Sequence, residues 1–282
     1  MEELYFSAEA IKGMIIEGAL MMLIPVVIFI VWKIRTHESF MPALIGAAAW
    51  FVFAIALKTA PAYLLFREFN PISNAIKNNV WLSCLVAGVL AGVFEEIGRF
   101  LAFKYVLKSK THRRTAITYG IGHGGFESVY VGFQLISLAV IGILLKTDIA
   151  NTIIGKLEPV ELSLLTEQLA PYKDLTLAEC LPGVFERLTA ITLHISLSVF
   201  VFASVREKSM SYLFSAAIFI HTLFDFSIVL YQAEILSVWP MEALLAVFAS
   251  VVAYAASRIY KKLGAGAAGG ADGGQITGQT AV

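Results

Sequence analysis

The chain has 282 residues, 58% of them hydrophobic and 15% charged, with a mean hydropathy of +0.77. That balance suits a lipid bilayer as solvent. Net charge is zero, from 21 basic and 21 acidic residues, which excludes the basic footprint of a nucleic-acid-binding protein. Cys84 and Cys180 are isolated, without CxxC spacing, which excludes a cysteine-rich metal site.

Glu2, Glu3 and Glu9 stand where a cleaved signal would carry lysine or arginine, so the first apolar run is expected to stay as a span. A spanning helix needs about 20 mostly apolar residues, and seven runs qualify: 11–32, 39–66, 79–103, 115–145, 184–205, 210–232 and 236–258. The first holds Glu17 near one end, where it is expected only to snorkel into the interface. The second is long enough to tilt or break. The third places Gly88 and Gly92 on one small-residue face and then reads Glu95-Glu96-Ile-Gly-Arg99. The fourth surrounds His123 with Gly120, Gly122, Gly124 and Gly125 and continues to Glu127. Those glycines serve close packing or let backbone and water reach the site.

The 146–183 connection is rich in Asp and Glu, and its Pro159–Leu169 stretch predicts a short helix at the membrane surface. The fifth span carries Glu186-Arg187 and His194, the sixth His221 and Asp225, and the seventh Glu242, another residue expected to snorkel. From Gly264 the Gly/Ala-rich composition predicts disorder. The expectation is an all-α, polytopic transmembrane helical bundle forming one domain over 1–263, with a tail over 264–282.

Lysines and arginines gather in alternate loops: Lys33 and Arg35, Lys104 to Arg114, Arg206 and Lys208, and Arg258 to Lys262. By the positive-inside rule those loops are cytoplasmic, which puts the N-terminus outside and the C-terminus inside the cell (plasma) membrane.

Ionisable residues within spans are costly and face the bundle interior. Counted from the basic ends, Glu95 is nine residues in, His123 nine, His194 twelve and His221 thirteen. At 1.5 Å per residue all four lie at a depth of about 13–20 Å. Residues three or four apart share a helix face, so Arg99 lies with Glu95 and Glu96, His123 with Glu127, and His221 with Asp225. Singly, the Arg99 pairs are structural ion pairs and His194 a packing residue. Together, four carboxylates, one arginine and three neutral histidines carry a formal charge of −3, which protons or a metal dication must offset.

The motifs Glu95-Glu96-Ile-Gly-Arg99, Tyr119-Gly-Ile-Gly-His123 with Glu127, and His221-Thr-Leu-Phe-Asp225 resemble those of the YhfC family of intramembrane metalloproteases. That family is related to the CAAX protease and bacteriocin-processing superfamily and to PrsW. Against the superfamily pattern, Arg99 comes one residue earlier than in the EExxxR of the CAAX enzymes, and Tyr119 stands where phenylalanine is usual. The resemblance implies an intramembrane peptidase with Glu95 as general base and His123 holding the water. His221 and Asp225 would stabilise the oxyanion, and Glu96 and Arg99 would orient Glu95.

A metal version remains open, in which His123, His194 and His221 with a carboxylate such as Glu127 or Asp225 bind zinc. The implied partners are the lipid bilayer and a peptide or membrane-protein substrate. The residues also leave open a proton- or cation-coupled transporter built on the same cluster.

Overall fold

The structure, a computed structural model, describes residues 4–67 and 70–269. Every regular element among them is helical. The order is α1 (Ala8–Thr36), α2 (Met41–Trp50), α3 (Thr59–Phe66), α4 (Pro71–Lys77), α5 (Val80–Leu101), α6 (Arg114–Leu144), α7 (Asp148–Ile154), α8 (Pro159–Leu169), α9 (Leu177–Arg206), α10 (Leu213–Gln232) and α11 (Val238–Gly269). A π-helical stretch, Phe51–Leu57, joins α2 to α3, and another, Ala102–Val106, prolongs α5.

Among the described residues, seven helical segments are long and apolar enough to cross a membrane: Ala8–Thr36, Met41–Phe66, Val80–Val106, Arg114–Leu144, Leu177–Arg206, Lys208–Tyr231 and Val238–Gly264. They coincide with the runs expected from hydropathy. The surface helix also forms as expected, with Pro159 in its first turn and Glu161 accepting from the Glu158 backbone N–H. At the far end α11 continues to Gly269, past the point where disorder was expected. Alanine is the strongest helix former, and Gly264 lets Arg113 pack close against this last turn. Residues 270–282 lie outside the described part.

Span α9 is the central post. It is buried along most of its length, whereas the other six turn most of their surface outward. Leu23, Ile30, Ile34 and Val251 are among the exposed large side chains, as lipid-facing positions should be. Around α9, α1 runs along α6, α5 along α10, and α2 along α6, while α9 touches α6 and α11.

Lipid offers no hydrophobic drive between helices, so close approach through small residues does the joining. A Cβ at Gly122 would sit 2.0 Å from the Ala43 carbonyl oxygen, and one at Gly46 2.3 Å from that of Tyr119. Gly88 and Gly92 admit the α10 backbone at Thr222 in the same way, which sets the depth of neighbouring His221. Span α6 stays helical through all its glycines, so packing is the role the structure gives them. Gly122→Ala is therefore expected to push α2 from α6 and destabilise the fold by about 1–3 kcal/mol. A lower thermal midpoint in detergent is the check.

The two ends of the bundle differ. At one, Arg206 donates to the Leu107 and Lys108 carbonyls, Arg113 to that of Tyr260, and Arg114 to that of Thr36, so all the basic turns share one side. At the other, the 146–176 connection covers the start of α1, where the Ser7 N–H donates to the Lys173 carbonyl.

Candidate functional site

The fold brings the four residues of that layer together. His123 on α6, His194 on α9 and His221 on α10 stand in a row, with ring centroids 4.9 and 5.2 Å apart. Glu95 on α5 meets them: its Oε2 accepts from His123 Nε2 at 3.2 Å and lies 3.8 Å from His221 Nε2. All four residues are at most 5% exposed. Adjacent Glu96 is fully buried, and its Oε1 accepts from both Arg99 Nη1 and His221 Nδ1, the latter at 2.8 Å. Asp225, one turn beyond His221, places Oδ2 3.8 Å from His221 Nε2 and is 28% exposed at its side chain.

Shared faces did not settle partners. Glu95 does not pair with Arg99, which holds Glu96 alone and donates through Nη2 to His194 Nδ1 at 3.1 Å. Glu127 does not pair with His123 one turn before it. Its Oε1 accepts from Arg187 Nη1 at 3.0 Å and its Oε2 lies 2.7 Å from His194 Nε2. Arg187 also donates to both oxygens of Glu186, each at 2.5 Å. The cluster thus extends along α9 as Arg99, His194, Glu127, Arg187 and Glu186.

Lys58 is the member that sequence reasoning missed. Its Nζ lies 3.7 Å from Glu95 Oε1, with the lysine side chain 27% exposed. A lysine inside a span was the available signal. Glu17 and Glu242, expected to snorkel, are instead buried, 9% and 5% exposed. Lys58 lowers the formal charge excess of the cluster from −3 to −2, and Arg187 with Glu186 leaves it there.

An excess of −2 matches one divalent cation. Glu95, His194 and His221 each bring a ligand atom within 4.8 Å of the other two, a compass that one ion spans. Tautomers sharpen the donor set. His221 gives its Nδ1–H to Glu96, which leaves its Nε2 lone pair facing Glu95 and Asp225, the carboxylate–histidine arrangement that orients metal-bound imidazoles. His123 has a buried Nδ1 without a hydrogen-bond partner, so its lone pair is also unused. His194 differs, because Arg99 occupies its Nδ1. The cluster fits a divalent metal, gathered at Glu95, His194 and His221.

Fold and site together define an integral membrane protein of seven helical spans that buries a carboxylate and imidazole centre compatible with a metal. The model of the YhfC intramembrane metalloprotease family matches residues 20–246, and the chain belongs to that family. It is 27% identical over 252 residues to the uncharacterized membrane protein YhfC of Bacillus subtilis (strain 168), covering 88% of this chain and 95% of that one. No solved structure matches the chain.

Proposed function

We propose that the protein is an intramembrane metallopeptidase in which Glu95 takes the proton of the attacking water. The supporting observation is the place of Glu95 Oε2, buried between the Nε2 atoms of His123 and His221. A water held against those rings would meet this oxygen first, within reach of a general base. Glu95 then returns the proton to the leaving amine. Lys58, 3.7 Å from Oε1, turns the carboxylate so that Oε2 faces the imidazoles.

The metal would be held by His221 with His194, whose ligand atom lies within 4.8 Å of it, and by Asp225, one helical turn from His221 on the same face of α10. Two imidazoles and a carboxylate suit zinc. When bound, it lowers the pKa of water and polarises the scissile carbonyl. Glu96 fixes His221 through Nδ1, and Arg99 ties Glu96 to His194, so the α5, α9 and α10 faces keep their spacing. Because the centre lies within the spans, its substrate is a peptide segment of a membrane protein. The basic end faces the cytoplasm, by the positive-inside rule.

The test is reconstitution in proteoliposomes with a library of single-span peptides, read by mass spectrometry. Defined cleavage products are expected, abolished by a chelator and restored by zinc. Intact peptides, with proton or cation flux across the same vesicles, would instead favour a transporter.

A further inference from the structure

Glu17 and Glu242 belong to no part of the centre described so far. They line a cavity of about 400 Å³ at the connection end, between α1, α6, α9, α10 and α11. Its other polar walls are Glu179, Glu186, Arg187 and the tyrosines Tyr172 and Tyr231, and the rest is apolar, including Met21, Leu135 and Met241. Among the described residues lining it, Arg187 is the single cation, and it is already engaged by Glu186 and Glu127. Glu242, 5% exposed, has an Oε2 without any hydrogen-bond partner. Glu17 has only the Cys180 thiol as a hydrogen-bond partner, and a Cβ at Gly183 would lie 2.0 Å from its Oε1, so that glycine makes the carboxylate's room.

Buried carboxylates without a counter-charge are costly, and a cationic ligand relieves that cost. A bare divalent ion does not match. Among the described residues, the group that gathers three ligand atoms within 4.8 Å is Glu95, His194 and His221, not these acids. Spread carboxylates above apolar walls suit a long aliphatic stem with a charged tip. The cavity also adjoins the centre, since its Arg187 holds Glu127, whose Oε2 lies 2.7 Å from His194 Nε2.

We propose that this cavity is a substrate subsite that receives a lysine or arginine side chain a few residues from the scissile bond of the peptide. The assignment of the ligand to the substrate rests on the peptidase reading above. Specificity would then arise at the connection end, where a basic residue flanking an apolar segment enters between α1 and α11. The apolar stem lies on Met21, Leu135 and Met241, and the charged tip meets Glu17 and Glu242.

The experiment measures binding rather than cleavage, by fluorescence anisotropy of two labelled single-span peptides in micelles with the zinc-loaded full chain. One peptide carries a lysine beside its apolar segment, and the other carries norleucine there. A preference of about tenfold or more for lysine is expected, as for one charge-assisted contact. It should persist in Glu95→Gln and vanish in Glu17→Gln/Glu242→Gln. Equal binding of the two peptides by the wild type, which needs no variant to fold, overturns the proposal. So does a preference that survives in a well-folded double variant. Lysine preference without hydrolysis would leave the subsite standing and sink the peptidase reading, whereas hydrolysis without preference would do the reverse.

Discussion

Glu95→Gln is expected to lower peptide hydrolysis by about 10²–10⁴-fold, the usual worth of a positioned proton acceptor. Glutamine keeps the shape and one acceptor oxygen for His123 Nε2, now 3.2 Å away, but it cannot take a proton at neutral pH. Because the change removes one negative charge from an anionic cluster, the fold should survive it. Metal content should survive too, since His194, His221 and Asp225 are untouched. Turnover in proteoliposomes, with size-exclusion and metal analysis of the same preparation, checks all three expectations. A Glu95→Gln protein that cleaves at the wild-type rate would remove Glu95 from the chemistry.

The largest stability effect is expected at Arg99. Its side chain is fully buried, and two of its nitrogens engage Glu96 and His194. Arg99→Leu leaves Glu96 ionised in the bundle interior against His221 alone. Breaking a buried pair from one side costs about 3–5 kcal/mol. The double variant Arg99→Leu/Glu96→Gln removes both charges and should recover a large part of that loss, because the two sites couple directly. Unfolding midpoints of the two single variants and the double variant give the coupling. Additive losses would mean that the ion pair is not what the fold depends on.

Much of this was legible in the sequence because membrane helices obey two simple rules. Apolar runs must match the bilayer thickness, and a constant rise per residue turns sequence distance into depth. Those rules located the spans and put Glu95, His123, His194 and His221 in one layer. Partners were harder. Spacing of three or four names a shared face, but it cannot say which neighbouring helix that face meets. Arg99 therefore chose Glu96 over Glu95, and Glu127 turned to Arg187 and His194 rather than to His123. Lys58 carried a signal as a lysine inside a span, but spacing alone does not say that it meets Glu95 from just after the π-helical stretch Phe51–Leu57. Glu17 and Glu242 look like snorkelling residues from their position near span ends, and only the packing of α1, α9 and α11 encloses them.

The most direct measurement of the central claim is divalent-metal content by elemental analysis of the detergent-purified wild type, Glu95→Gln and His221→Ala. About one zinc per chain is expected in the wild type and in Glu95→Gln, and almost none in a folded His221→Ala, with hydrolysis lost in both variants. A folded wild-type protein that carries no metal and still cleaves its peptide would contradict the claim.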